Sequence, residues 1–246
     1  MRIALIADVH ANRQAFAACL AQARHLGAER FVLLGDYVGY GGDPEWSTAT
    51  VMELVGQGAM ALQGNHDCAI GNPREQMHPQ AQIAIEWTRG RLGAPERGFL
   101  AGLPLTIREG ETLYVHAEAS APKRWLYVTS PEEAYRSMMA TDARLTFCAH
   151  VHLPAIYSLS AVSKMTAFSP VTGVSVPLLA RRRWLVVLGS AGQPRDGNPA
   201  AAFAMLDTDR QSITFCRAPY DTEEAAAAIR RNGLPVVFAE RLSVGR

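Results

Sequence analysis

Five short clusters of acids, amides and imidazoles, each placed directly after an apolar run, are the part of this 246-residue chain that could do chemistry. Asp8 and His10 follow IALIA, Asp36 follows FVLLG, and Asn65, His66 and Asp67 follow AMALQG. His116 follows TLYV, and His150 and His152 close LTFCAHVH. Five of the seven histidines fall in these clusters. Mixed carboxylate, amide and imidazole donors suit borderline divalent ions such as Mn, Fe, Co, Ni or Zn. They suit Ca or Mg less well, because those ions prefer oxygen shells.

Each spacing carries its own reading. Asp8-x-His10 puts two donors on one side of an extended segment, so one ion could take both. His150-x-His152 has the same spacing, and its rings could serve neighbouring ions if the chain curls at the strand end. Asp36 could bridge two ions through its two oxygens, with Gly35 letting the backbone come close. Asn65 offers a neutral carbonyl oxygen. Two ions about 3.5–4 Å apart lower the pKa of a shared water toward neutrality and clamp two oxygens of a phosphate. His66, next to Asn65, is then the candidate general acid for the leaving oxygen. Asp67 could orient its ring by accepting its N–H. Singly, each cluster has an ordinary reading: a satisfied histidine, a Gly-Asp turn, an Asx turn. Five of them in one order at strand ends make coincidence a poor account. His25 and His78, at a helix end and in a loop, carry no partner pattern.

These residues need a scaffold that brings strand ends together, and the first third of the chain reads as one. The run at 2–7 is continuously apolar, as in a strand covered on both faces. Asn12 caps a helix that Gly27 ends. FVLLGD is a second strand, a helix spans Pro44 to Val55, and AMALQGN is a third strand. Asp8 to Asp36 is 28 residues and Asp36 to Asn65 is 29, each the length of one strand-helix-strand unit. The clusters therefore recur at the carboxyl edge of successive parallel strands, where open α/β sheets bind ligands. Residues 68–110 break the pattern with a loop, GNPREQMHPQ, and two helices, AQIAIEWTRGRLG and APERGFLAGL. This stretch reads as substrate-side surface. From 111 the chain turns β-rich, with hairpins expected over 155–188 and a strand pair, AAFAMLD and SITFCRA, around a turn at 208–211. A final helix starts at a capping box, Asp221 with Glu224. Residues 1–246 read as one domain.

The bulk composition excludes several classes. A net charge of +1 leaves no footprint for nucleic acid or an anionic membrane. The one basic run, Arg181 to Arg183, reads as a solvated hairpin tip. No apolar stretch nears the roughly 20 residues of a membrane span. Met1-Arg2 leads straight into a strand-like run with no signal segment. Cys19, Cys68, Cys148 and Cys216 are scattered without a CxxC pair, which argues for a reduced, cytoplasmic setting.

The order D-x-H, G-D, G-N-H-D, H, H-x-H over residues 3–152 resembles the calcineurin-like metallophosphoesterase superfamily. The resemblance implies an α/β fold, a two-sheet β-sandwich flanked by helices (α-β-β-α). It implies one ion on Asp8, His10, Asp36 and His152, a second on Asp36, Asn65, His116 and His150, and His66 as the catalytic histidine. AIEWTR (84–89), VHAEAS (115–120), Trp125 with Tyr127, GSAGQPRDGNP (189–199) and GLPVVFAERL (233–242) resemble the compact bacterial and archaeal phosphodiesterase branch. Ala149 and Ala117 stand where many members have glycine. Glu118-Ala119 replaces a common Ser-Pro pair.

Protein phosphatases of this superfamily carry arginines after G-D and before G-N-H. Here GDYVGYGG has none and Gln63 precedes Gly64. Phosphate contacts then fall to Arg13, Lys123, Arg124 and Arg195. The expectation is a hydrolase of diesters or phosphoanhydrides, such as dinucleoside polyphosphates, acting on a small phosphorylated substrate. A phosphomonoesterase or protein phosphatase and a non-catalytic scaffold of the same fold are the alternatives. A metal-free nucleotide-binding βαβ protein is disfavoured, because DVHANR has no G-x-G-x-x-G to cradle a pyrophosphate.

Overall fold

Consecutive residues of the run after Arg2 point into different cores: Ile3 and Leu5 into one, Ala4 and Ile6 into another. That is the period-two split of a strand buried on both faces, and it sets the layering. The computed structural model describes residues 1–75 and 77–246; Gln76, in the segment read as a loop, lies outside them. The first half of the chain forms β1 (Arg2–Ile6), α1 (Arg13–His25), β2 (Arg30–Leu33), α2 (Pro44–Gly56), β3 (Met60–Ala61), α3 (Asn65–Gly71), α4 (Pro79–Arg91) and α5 (Ala94–Gly102). The chain then turns to β4 (Thr106–Glu109), β5 (Thr112–Val115), α6 (Pro131–Met139), β6 (Leu145–Cys148), β7 (Ala155–Ser160) and β8 (Met165–Phe168). It closes with β9 (Ser175–Pro177), β10 (Arg182–Val187), β11 (Ala201–Asp207), β12 (Ser212–Ala218), α7 (Thr222–Arg231) and α8 (Val236–Val244).

Two six-stranded sheets result, ordered β3-β2-β1-β11-β12-β9 and β4-β5-β6-β10-β7-β8. β1, β2 and β3 are parallel, as the strand-helix-strand spacing requires. The sheets face one another across a core of Ile3, Leu5 and Val32 against Tyr114, Phe147 and Trp184. Tyr114 and Phe147 stack there at 5.6 Å. Each such fully buried side chain contributes about 1.5–3 kcal/mol. The outer face of the first sheet takes α1, whose Phe16, Cys19, Leu20 and Ala23 form a helical stripe. The outer face of the second takes α6 through Ala134 and Met138. This is the expected helix-sheet-sheet-helix sandwich. Among the described residues no helix is long and apolar enough to cross a membrane.

Local signals were read well at helix ends. The Asn12 side chain accepts from the Ala15 amide at 3.1 Å, and Gly27 has φ +80°. Four expectations need correction. The helix at Asp221 is not the last: Gly233 stops α7 and Pro235 opens α8, whose Phe238, Ala239 and Leu242 pack with Ala225 and Ile229. Its capping box is half formed, because Glu224 pairs with Arg231 instead of the cap amide. The 155–188 region is not a run of hairpins: β7 and β8 pair, but β9 crosses to the other sheet and β10 lies between β6 and β7. The basic run is a solvated tip only at Arg181, which is exposed in the turn before β10. Arg183 donates to the carbonyls of Met138 in the last turn of α6 and of Thr141 and Ala143 after it, and Arg182 donates to Ser158.

Tyr37, fully buried, locks the strand ends that carry the site. Its hydroxyl lies 2.8 Å from the carbonyls of both Leu33 and Leu62 and accepts from the amides of Gly35 and Leu62 at 3.1 Å. Removing it strands buried groups on β2 and just past β3. Tyr37→Phe is expected to lower the unfolding free energy by about 1–3 kcal/mol in denaturant titration. An unchanged midpoint and slope would contradict this role.

Candidate metal centre

The pairing of β1 with β2 continues past both strand ends. The amides of Asp8, His10 and Ala11 donate to the carbonyls of Gly35, Asp36 and Tyr37 at 3.0, 2.9 and 2.8 Å. The chain there is not extended. Asp8, His10 and Asp36 have φ of 52°, 50° and 56°, and His150 and His152 have 70° and 65°. Asp8 and His10 therefore converge through left-handed turns rather than by strand alternation. Non-glycine residues in this region cost on the order of 1–3 kcal/mol each, and such strain collects at functional sites.

Two contacts press the loops together. A Cβ on Gly64 would lie 2.1 Å from Asp36 Oδ1, so only glycine lets the third loop touch the second. A Cβ on Gly192 would lie 1.8 Å from the Val9 carbonyl. The loop carrying Gly192 is tied to the first by Ala191 N–H to Ala7 O (2.9 Å), Gly192 N–H to Asp8 O (2.8 Å) and Ser190 Oγ to Asp8 O (2.8 Å). The Gly/Pro-rich stretch after β10 is thus a clamp on the Asp8 loop.

Six donors form two groups joined by Asp36. In the first, His152 Nε2 is 3.5 Å and His10 Nε2 4.0 Å from Asp8 Oδ1, and the two nitrogens are 3.0 Å apart. In the second, His116 Nε2 is 3.4 Å from Asp36 Oδ2 and 3.3 Å from His150 Nδ1. Asp36 Oδ2 is 3.8 Å from His10 Nε2, between the groups. The other nitrogen of every ring faces a backbone carbonyl: Val38 for His10, Gln193 for His152, Leu34 for His116 and Trp125 for His150, at 2.6–3.2 Å. A nitrogen facing a carbonyl carries the proton, so in the neutral ring the inward nitrogen is a lone pair. Lone pairs about 3 Å apart repel unless a cation lies between them. Tethered, inward-facing imidazoles are also how metal-binding histidines are held. Asp8 Oδ1 and Asn65 Oδ1 are buried without any partner, each a cost of about 1–3 kcal/mol if left so. The residues fit a divalent-ion site.

Charge tells the same story. Burial lowers His10 and His152 well below the usual imidazole range. Burial and then His116 bring His150 to about 3. All three are neutral, the form that binds metal. Burial pushes Asp8 up to about 7, against the pull of His116. Burial also opposes charge on Asp36 and His116, but their mutual attraction wins, with Asp36 held well below the carboxylate range and His116 raised to about 9. The pocket thus favours added positive charge.

The structure sorts the remaining candidates. Asn65, at the start of α3, lines the cleft, and its Oδ1 is buried without a partner. Asp36 Oδ1 accepts the His66 amide at 2.8 Å, while Oδ2 is the oxygen that faces the imidazoles of His10 and His116. Asp67 does not orient His66. Its oxygens accept the amides of Asp36, Tyr37 and Gly64 at 2.7–3.0 Å, so it ties the second and third loops together. The His66 ring instead packs between Tyr40 and His10, at 4.6 and 4.7 Å, with Nε2 4.0 Å from Asp36 Oδ2. Above lies a cleft of about 360 Å³ whose wall includes Lys123, Arg124 and Arg195. Arg13 is elsewhere: exposed on α1, it lies over Trp46. Sequence reading missed Tyr40 and His78, both in the cleft wall. Tyr40 has φ +61° in a Gly-rich turn, a signal that GDYVGYGG did contain. Glu118 is fully buried and accepts from Ser120 and Ala121, so it shapes its own turn rather than the cleft.

Comparison with known proteins agrees with this geometry. A family model described as the calcineurin-like phosphoesterase superfamily domain matches residues 1–211. The uncharacterized protein MJ0912 of Methanocaldococcus jannaschii is 30% identical over 250 residues, covering 99% of this chain and 98% of its own. A crystal structure of a metallophosphoesterase from Sphaerobacter thermophilus superposes with a TM-score of 0.88 at 33% identity, covering 100% of this chain and 99% of its own. The hypothetical protein PH1004 of Pyrococcus horikoshii gives 0.79 at 19% identity, covering 100% and 98%; at that identity it speaks for the fold alone. With a family model over most of its length and relatives matched end to end, the chain belongs to the calcineurin-like phosphoesterase superfamily.

Proposed function

We propose that this protein hydrolyses phosphodiesters or phosphoanhydrides of small phosphorylated molecules with two divalent ions. Asp8, His10, Asp36 and His152 would hold one ion, and Asp36, Asn65, His116 and His150 the other. The observation that carries this reading is the pair of buried donor groups meeting at Asp36 Oδ2, with partnerless oxygens on Asp8 and Asn65. When bound, such ions lower the pKa of a shared water and offset charge on phosphate oxygens.

The chain's own residues do the rest. His66 stands at the cleft floor as proton donor to the leaving oxygen. Burial lowers its pKa although Asp36 opposes this, which makes the charged ring a stronger acid. Arg195, Arg124 and Lys123 supply cations for phosphate oxygens. The preference for diesters or anhydrides rests on absent arginines. Gln63, before Gly64, spends its amide on the carbonyls of Leu100 and Ala101, away from the cleft.

With Mn²⁺ added, the protein is expected to turn over bis-p-nitrophenyl phosphate and diadenosine tetraphosphate. Metal uptake without cleavage of any phosphate ester, diester or anhydride would sink the proposal, and turnover of monoesters alone would overturn the preference. His66→Ala is expected to lower kcat by roughly 10²–10⁴-fold with metal content retained. An unchanged kcat would remove His66 from the reaction.

A further inference from the structure

The cleft over the metal centre does not end at Arg195. It continues into a second lobe of about 330 Å³, and the two share Tyr40, His78, Ala81, Tyr127 and Arg195 as wall. The far side of this lobe is built by α8, which contributes Phe238 and Arg241, and by Arg246 beyond it. These residues lie outside the stretch matched by the family model, residues 1–211. Among the described residues no carboxylate side chain lines the lobe. Other arginines late in the chain have partners: Arg217 pairs with Asp196, Arg230 with Glu223 and Arg231 with Glu224. Arg195, Arg241 and Arg246 take part in no salt bridge among the described residues.

Arg241 is half-buried and Arg246 exposed, so with Arg195 they give this lobe a positive lining that attracts an anion. Arg195 makes the point at atomic detail. Its Nη2 donates to Gln193 Oε1 at 3.1 Å, while Nε is buried with no partner. A guanidinium with donors to spare is the group that takes phosphate oxygens in pairs. The lobe also has an aromatic side. Tyr40 is enclosed by Phe238, His10 and His66, whereas Tyr127, stacked on His150 at 4.4 Å, is half exposed and is the ring a flat ligand group could rest against.

The geometry points to a second phosphate subsite, formed by Arg195 and Arg241, so that the substrate is a linked polyphosphate with one phosphate at the metal centre and another in the α8 lobe. This rests on the proposed hydrolase reading and narrows it toward phosphoanhydrides. The linked phosphates could belong to an inorganic chain or to a nucleoside polyphosphate.

The test is calorimetric binding to the protein as purified, without added metal, using inorganic orthophosphate, inorganic tripolyphosphate and diadenosine tetraphosphate. Wild type should bind tripolyphosphate more tightly than orthophosphate. Arg241→Gln should weaken tripolyphosphate roughly tenfold or more, the loss of one charge-assisted contact, and shrink its advantage over orthophosphate. Arg241→Lys should restore part of it. Tighter binding of the dinucleotide than of tripolyphosphate would assign the organic source, and the reverse the inorganic one; either supports the subsite. No tripolyphosphate advantage in wild type, or the same advantage in Arg241→Gln with an unchanged melting curve, overturns it. Failure of the hydrolase reading shows separately, as metal-loaded protein that cleaves no ester.

Discussion

Four imidazole nitrogens and two carboxylates point at one another inside a buried pocket, and the rest of the molecule is arranged to keep them there. Each ring is fixed from behind by a backbone carbonyl, so none can rotate its lone pair toward solvent. Those carbonyls belong to Val38, Leu34, Trp125 and Gln193, residues from three separate loops and a strand end. The loops are in turn cross-tied by Asp67, Tyr37 and the clamp around Gly192. Without a cation the arrangement repels itself. With one it is a preformed ligand set, in which the neutral rings of His10, His150 and His152 and the partnerless oxygens need not rearrange to bind, and only His116 has a proton to give up.

The strain is spread in the same way. Asp8, His10, Asp36, His150 and His152 all adopt left-handed backbone conformations, which side chains disfavour. The cost falls on residues with chemical work to do and is offset by the sandwich beneath them. Its inter-sheet core and two helical faces bury most of the large apolar side chains. A rigid scaffold carrying locally strained loops is the general arrangement for a site that must be ready before its ligand arrives.

Much of this was legible in the sequence, for identifiable reasons. Near-equal spacing of Asp8, Asp36 and Asn65 reported three parallel strands, because each unit is one strand, one helix and their turns. The separate destinations of His150 and His152 followed from a curl at a strand end. What spacing could not report was which partner a polar side chain chooses. Asp67 adjoins His66 in the chain, yet the amides of Asp36 and Tyr37 on the neighbouring loop, with that of Gly64, claim both of its oxygens. Arg13 lies close in sequence to Asp8 and His10 but faces away on α1. His78 carries no motif and reaches the cleft through folding alone. The α8 lobe was invisible for a similar reason: a nine-residue helix after Pro235 has little periodicity, and Arg241 gains meaning only beside Arg195.

The central claim is that the two donor groups are metal sites sharing Asp36. Crystals of the protein grown with Mn²⁺, measured on both sides of the Mn absorption edge, test it most directly. The account predicts two anomalous peaks per chain, one among Asp8, His10, Asp36 and His152 and one among Asp36, Asn65, His116 and His150. Peaks only at surface carboxylates, or none in the pocket with Mn²⁺ present, would contradict it.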